Sequence, residues 1–302
     1  VSAHTPGRDT DLSARVVDDV EALRERLAPW RQRGGRVGMV PTMGNLHAGH
    51  LSLVDKAIAL SDVVVVSIFV NPLQFGPEED FGAYPRTLDD DLQALASVDG
   101  AALEVFLPPV GQVYPFGEEQ AVRVSVPGLS DDLCGRHRPG HFDGVATVVT
   151  KLLNMVQPHV AVFGEKDLQQ LRVIERLAQD LCLPTRIVPA RIAREDDGLA
   201  MSSRNRYLTR PQRALAPMLY QELEDVCAAL RAGRGDYGGL ESVACARLRE
   251  AGFRPDYVAV RRYADLALPG PSDRELVVLG AAWLGDARLI DNVAVGARSE
   301  GL

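Results

Sequence analysis

The chain predicts an α/β fold: a doubly wound parallel sheet over residues 1–190, followed by a smaller α+β domain over residues 191–302. Three observations predict it. Up to about Ala190, short apolar runs alternate with segments of helical period, the pattern of right-handed βαβ units. Residues 63–70 form a valine-rich, apolar run broken only by Ser67, as in a parallel strand covered on both faces. After Ala190 the pattern changes to two helical stretches and then three extended ones separated by turns.

Taken in order, Val20, Leu23, Leu27 and Trp30 share one helical face, and Gly34-Gly35 supplies a C-terminal stop. A strand is predicted over 36–40, then a helix opened by the sequence HAGH and running to about residue 61. Beyond the strand at 63–70, helices are expected at 89–98, 142–156 and 168–181, and strands at 103–107, 160–163 and 186–188. The C-terminal part predicts helices at 212–232 and 237–251 and strands at 257–262, 275–283 and 288–293. The first dozen residues are too polar to offset their ordering entropy and are expected to be loose. Residues 111–135, rich in turns and acids, read as a candidate flap.

Composition narrows the class of partner. A formal net charge of −8 gives no global attraction to nucleic acid or an anionic membrane, so anion binding has to be local. No run approaches the roughly 18 apolar residues of a membrane span, and the N-terminal stretch lacks the apolar core of a signal peptide. Cys134, Cys182, Cys227 and Cys245 show neither CxxC nor zinc-type spacing and read as reduced thiols of a cytoplasmic protein.

Against that acidic background three stretches carry chemistry. In PTMGNLHAGH, His47 and His50 lie three apart at a strand-to-helix turn, where backbone N–H groups are unpaired and the dipole is positive. Gly44 and Gly49 allow tight turning and close approach, so the stretch reads as a cradle for a phosphate chain. A histidine at such a turn is otherwise often a structural group. In MSSRN, residues 201–205, two hydroxyls and a guanidinium suit phosphate oxygens, although an ordinary loop before a helix has the same composition. In FGEKDLQQL, Lys166 is one of only three lysines, beside Lys56 and Lys151, which favours a placed point charge over filler.

PTMGNLHAGH, SIFVNPLQF, YPRTLDDD, RPGHFDGV, FGEKDLQQL and DGLAMSSRNRYL occur in the order found in pantothenate synthetases, and the chain resembles that family across Pro41 to Leu208. HAGH is similar to the HIGH signature, and MSSRN to the mobile KMSKS-type loop, of the wider nucleotidyltransferase group. The resemblance implies a Rossmann-like nucleotide domain with a C-terminal lid, and ATP-dependent condensation of pantoate with β-alanine through a pantoyl adenylate. It implies ATP contacts from Met43, Gly44, His47, Gly49, His50, Gly164, Lys166, Asp167, Met201, Ser202, Ser203 and Arg204. Of these, His47, His50, Lys166, Ser202, Ser203 and Arg204 match the catalytic set. Pantoate is expected against Met43, Asn71, Gln74, His141, Val145 and Gln170.

The family pattern further implies Mg²⁺ as cofactor, with Asp90 and Asp91 helping to hold it, although acids in a first helical turn are favoured by the dipole alone. His141 matches a family position whose role is open: a base, or a group that orders a nearby segment. Leu168 stands where some relatives carry tyrosine, and either points away from the reacting groups or lines the helix start. A homodimer is implied, with no nucleic-acid or membrane partner. Two other classes stay in view: a nucleotidyltransferase acting on a phosphate acceptor, and a nucleotide-sensing module without turnover. A dehydrogenase is disfavoured because no GxGxxG follows the first predicted strand.

Overall fold

The computed structural model describes residues 15–76, 81–82 and 84–296, so the first dozen residues lie outside the described residues. The N-terminal elements are β1 (Val16–Val17), α1 (Val20–Gln32), β2 (Val37–Thr42), α2 (Ala48–Ile58), β3 (Val63–Ile68), α3 (Leu88–Ala96) and β4 (Ala102–Phe106). They continue through α4 (Val110–Val113), α5 (Cys134–His137), α6 (His141–Val156), β5 (Val160–Gly164), α7 (Leu168–Asp180) and β6 (Arg186–Ala190). Six parallel strands form a sheet in the order β1-β4-β3-β2-β5-β6.

The chain moves outward from β2 to β3 and β4, then returns to place β5 on the other side of β2. That reversal is the topological switch point at which open α/β sheets bind ligands. Both faces of the sheet are covered, which is why β3 opens on four consecutive valines and is buried throughout. Val63 and Val65 join a core with Leu23 and Leu27 of α1 and Leu152 of α6, while Val64 and Val66 join Val54 and Ala57 of α2 and Leu95 of α3.

The C-terminal elements are α8 (Arg210–Leu215), α9 (Met218–Arg231), α10 (Tyr237–Glu250), β7 (Arg254–Arg262), β8 (Leu276–Leu284) and β9 (Ala287–Ala294). The three strands pair antiparallel in sequence order. Strand alternation sends Val277, Leu279 and Ala281 of β8 into the core shared with α6 and α7, and Val278 and Ala282 into the core beneath α9 and α10. One strand therefore joins the two halves of the molecule.

One predicted helix is two. Residues 212–232 divide into α8 and α9 because Pro217 has no N–H to continue the ladder from α8. The 111–135 segment is anchored at its two ends, with Phe116 and Val122 exposed between them. Tyr114, Val126, Leu133 and Cys134 are buried, and Gln169 of α7 accepts from Cys134 N and donates to the carbonyls of Leu129 and Asp132. The four cysteines are free, and among the described residues no helix is long and apolar enough to cross a membrane.

Candidate active site

A crevice opens at the carboxyl ends of β2 and β5. These strands pair only at Gly38↔Val160 and Met39↔Ala161, whereas β2 stays paired with β3 as far as Thr42↔Ile68. Pro41, having no N–H to donate, sits in the stretch where the β5 side is already unpaired. The turn that follows needs left-handed backbone at Gly44 (φ 79°) and Asn45 (φ 53°). Asp91 holds that turn, its two carboxylate oxygens accepting from Asn45 N (3.0 Å) and Leu46 N (2.7 Å). A Cβ at Gly44 would lie 2.9 Å from the same carboxylate.

The two histidines cap the helix they begin. His47 is the N-cap of α2, its Nδ1 accepting from Gly49 N at 3.1 Å, and His50 Nδ1 faces His47 N at 3.4 Å in the reciprocal half of a capping box. With each Nδ1 on an amide N–H, the neutral rings carry their proton on Nε2. Burial, reinforced by the Lys166 charge, pushes His47 down to about 4. Burial, with His47 and Lys166 adding to it, takes His50 to about 3. At neutral pH the pair is uncharged and its Nε2–H groups are available as donors.

Across the crevice, β5 runs into a 3₁₀ turn, Glu165–Asp167, and then α7. Lys166 Nζ lies 3.4 Å from Asp167 Oδ2. Although burial alone would raise Asp167, the Lys166 ammonium beside it, with Arg204 and His141 nearby, holds its carboxyl below the usual range. The consecutive glutamines of α7 diverge. Gln169 turns into the protein to pin residues 129–134, while Gln170 faces the cleft. Leu168 is 1% exposed and belongs to the core, which answers where it points.

Residues 193–201 form a small hairpin, with Arg194 bridged to Ala200 and Met201 N donating to Ala193 O at 2.9 Å. It delivers Ser202, whose Oγ accepts from Arg204 N at the start of the 3₁₀ turn Ser203–Tyr207. The cleft, about 220 Å³, gathers Met43, His47, Gly49, His50, Gln74, Val145, Gly164, Lys166, Asp167, Gln170, Met201, Ser202, Ser203 and Arg204. Fourteen predicted site residues from five separated stretches thus share one cavity. Gly44 does not line it but shapes the turn beneath.

Three expected site groups stand outside the cleft lining. Asn71 is 1% exposed and outside the cleft lining. Its amide donates to Gly144 O (3.1 Å) and Gln74 Oε1 (3.2 Å) and its oxygen accepts from Tyr114 OH (2.7 Å), so its side chain orients Gln74. His141 contacts Gln74 O through Nδ1 at 2.7 Å and Arg138 through Nε2 at 3.0 Å. A ring that donates from Nδ1 to a carbonyl and accepts at Nε2 orders the segment and is not placed as a base.

The third concerns magnesium. Asp91 is 2% exposed with both oxygens committed to the turn, and Asp90 is exposed on α3. Neither lines the cleft, and among the described residues no cluster of three His, Cys, Asp or Glu side chains could hold a metal. The Asp90–Asp91 pair does not fit a Mg²⁺ site. Sequence reasoning missed the actual work of Asp91, Asn71 and Tyr114 because each bonds to a group 43 or more residues away in the chain.

The model of the pantoate-beta-alanine ligase family matches residues 15–294. The chain belongs to the pantoate–β-alanine ligase family. It is 56% identical over 275 residues to a pantothenate synthetase of Thioalkalivibrio sulfidiphilus, covering 91% of this chain and 95% of that protein. It is 53% identical over 280 residues to a pantothenate synthetase of Pseudomonas aeruginosa, covering 93% and 98%. The crystal structure of pantothenate synthetase from Thermus thermophilus superposes with a TM-score of 0.84 at 44% identity, over 93% of this chain and 99% of that one. A Francisella tularensis pantoate-β-alanine ligase, crystallised with β-γ ATP and β-alanine, gives a TM-score of 0.77 at 33% identity over 92% and 96%. The crevice at the β2/β5 switch point is where open α/β sheets hold ligands.

Proposed function

We propose that this chain is an AMP-forming ligase that condenses pantoate with β-alanine at the expense of ATP. The observation that carries the reading is the shared cleft, in which a neutral histidine pair, a lysine and the Ser-Ser-Arg turn surround a wall of Gln74, Gln170, Met43 and Val145. In the first step a carboxylate oxygen of pantoate attacks the α-phosphorus of ATP, and the bond to the β-phosphate bridging oxygen breaks to release pyrophosphate. In the second, the amine of β-alanine attacks the acyl carbon of the adenylate, the carbon–oxygen bond to AMP breaks, and the amine loses its proton.

Neither step needs an enzyme nucleophile. The Nε2–H groups of His47 and His50 donate to phosphate oxygens without a second pair of positive charges having to be buried. Lys166 supplies the compact cation between phosphate and carboxylate, and Arg204 a planar fork for phosphate oxygens. Gln74 and Gln170 can each both donate to and accept from pantoate's hydroxyls and carboxylate, and Met43 and Val145 offer apolar contact to its gem-dimethyl group. Holding two anionic reactants in line is the main work, an effect worth about 7–11 kcal/mol in favourable cases.

The reading includes a cytoplasmic homodimer and magnesium carried in with the nucleotide's phosphates and water, and no step above depends on the metal. It is tested by product stoichiometry. With pantoate, β-alanine and MgATP supplied, pantothenate, AMP and pyrophosphate should appear in equal amounts by NMR. Formation of ADP and phosphate would overturn it.

A further inference from the structure

Two consecutive residues of β9 grip the two loops that carry the cationic side of the cleft. Asn292 is 2% exposed, and its Nδ2 donates to Glu165 O at 2.8 Å and to Lys166 O at 3.1 Å. Those carbonyls belong to the 3₁₀ turn that has no side-chain cap of its own and from which Lys166 enters the cleft. Asp291, 5% exposed, accepts from Arg194 Nη1 at 2.6 Å and Nη2 at 2.9 Å. Arg194 also donates to Gly198 O at 2.9 Å and stacks over Tyr220 at 3.8 Å, so the hairpin leading to Ser202 is tied to the same strand. Pairing of Gly280 with Asp291 and of Leu279 with Asn292 fixes both grips in the ladder between β8 and β9.

We infer that Asn292 is a positioning residue for Lys166, with β9 as the rigid base and the Asp291–Arg194 pair anchoring that base to the hairpin. One planar amide supplies two N–H groups to two consecutive carbonyls, which fixes the tilt of both peptide planes and with them the direction in which the lysine leaves the backbone. Aspartate, of the same shape, would set oxygen against oxygen at this place. A reacting group displaced by about 1 Å can cost about 10²-fold in rate, so a residue that touches no reactant still governs turnover.

The inference rests on the proposed role of Lys166, and a double-mutant cycle separates the two. Pantoate-dependent ATP–pyrophosphate exchange is measured for wild type, Asn292→Ala, Lys166→Ala and the double variant, at enzyme concentrations that resolve the residual rates. Asn292→Ala should lower kcat about 10- to 100-fold with the KM for ATP changed less than about threefold. In the Lys166→Ala background the same change should cost less than about threefold, since a residue acting through the lysine has nothing left to position. If Asn292→Ala costs the same factor in both backgrounds, its role is structural and the inference is overturned. If Lys166→Ala alone leaves exchange intact, the lysine's role falls and takes the inference with it. Should Asn292→Ala fail to fold by thermal unfolding, Asn292→Thr, which keeps one hydroxyl donor and suits a strand, runs the same cycle against the same two criteria.

Discussion

Protonation decides what the two histidines offer a phosphate. Each imidazole spends its Nδ1 on a backbone amide of the helix start and is pushed far below the ordinary histidine range by burial and by Lys166. Nitrogen chemical shifts of the ring atoms should therefore report neutral Nε2–H tautomers at pH 6, and midpoints near 6.5 would contradict the structure. Stability follows with a fixed sign. Between about 6.5 and the folded values of about 4 and 3, the unfolded chain binds protons that the folded one refuses, so this contribution is lost as pH falls through that window. Denaturant midpoints measured from pH 7 to pH 4 should fall, and the fall should shrink in a His47→Gln, His50→Gln variant. The histidines, the lysine and the Ser-Ser-Arg run were legible in the sequence because their chemistry is unusual where they stand. Asp91 and Asn71 read as ligand groups for the same reason, whereas the structure commits both to partners inside the protein. A carboxylate or an amide close to a motif looks the same in sequence whether it faces solvent, ligand or a backbone N–H from a distant turn.

Elements were legible where period and punctuation agreed. Helix α1, the valine strand β3 and the late strands fall within a few residues of their predicted places. The two-residue β1 and the one-turn helices α4 and α5 carry too few residues for a period, and the break between α8 and α9 was missed by reading past Pro217. Packing between elements was not legible at all. The carbonyl of Leu73 lies 2.1 Å from where a Cβ on Gly144 would be, so α6 can approach the 3₁₀ turn Pro72–Gln74 only at a glycine. Gly144→Ala should cost about 1–3 kcal/mol by overpacking and raise the KM for pantoate more than that for ATP, because Gln74 moves with the turn. Asp91→Ala should cost a similar amount, about 1–3 kcal/mol, by leaving two amides of the 43–46 turn unpaired. Asp90→Ala should leave the Mg²⁺ dependence of turnover unchanged, and a shift to higher Mg²⁺ would restore the metal reading that the structure disfavours.

At the scale of the whole molecule, the site is built by two sheets that meet. The parallel sheet supplies the histidines and the lysine turn at its switch point, and the antiparallel sheet reaches across through β9 to hold that turn and the hairpin before Ser202. The architecture of both halves could be anticipated from alternation and its change near Ala190, but the bond network joining them could not, since Asn292 and Lys166 are separated by 126 residues. We propose that this assembly activates pantoate as an adenylate before any amine is present. ATP–pyrophosphate exchange in the presence of pantoate and the absence of β-alanine tests it most directly. Exchange that requires pantoate is the predicted result. An ATP-binding, folded preparation that exchanges nothing until β-alanine is added would contradict it.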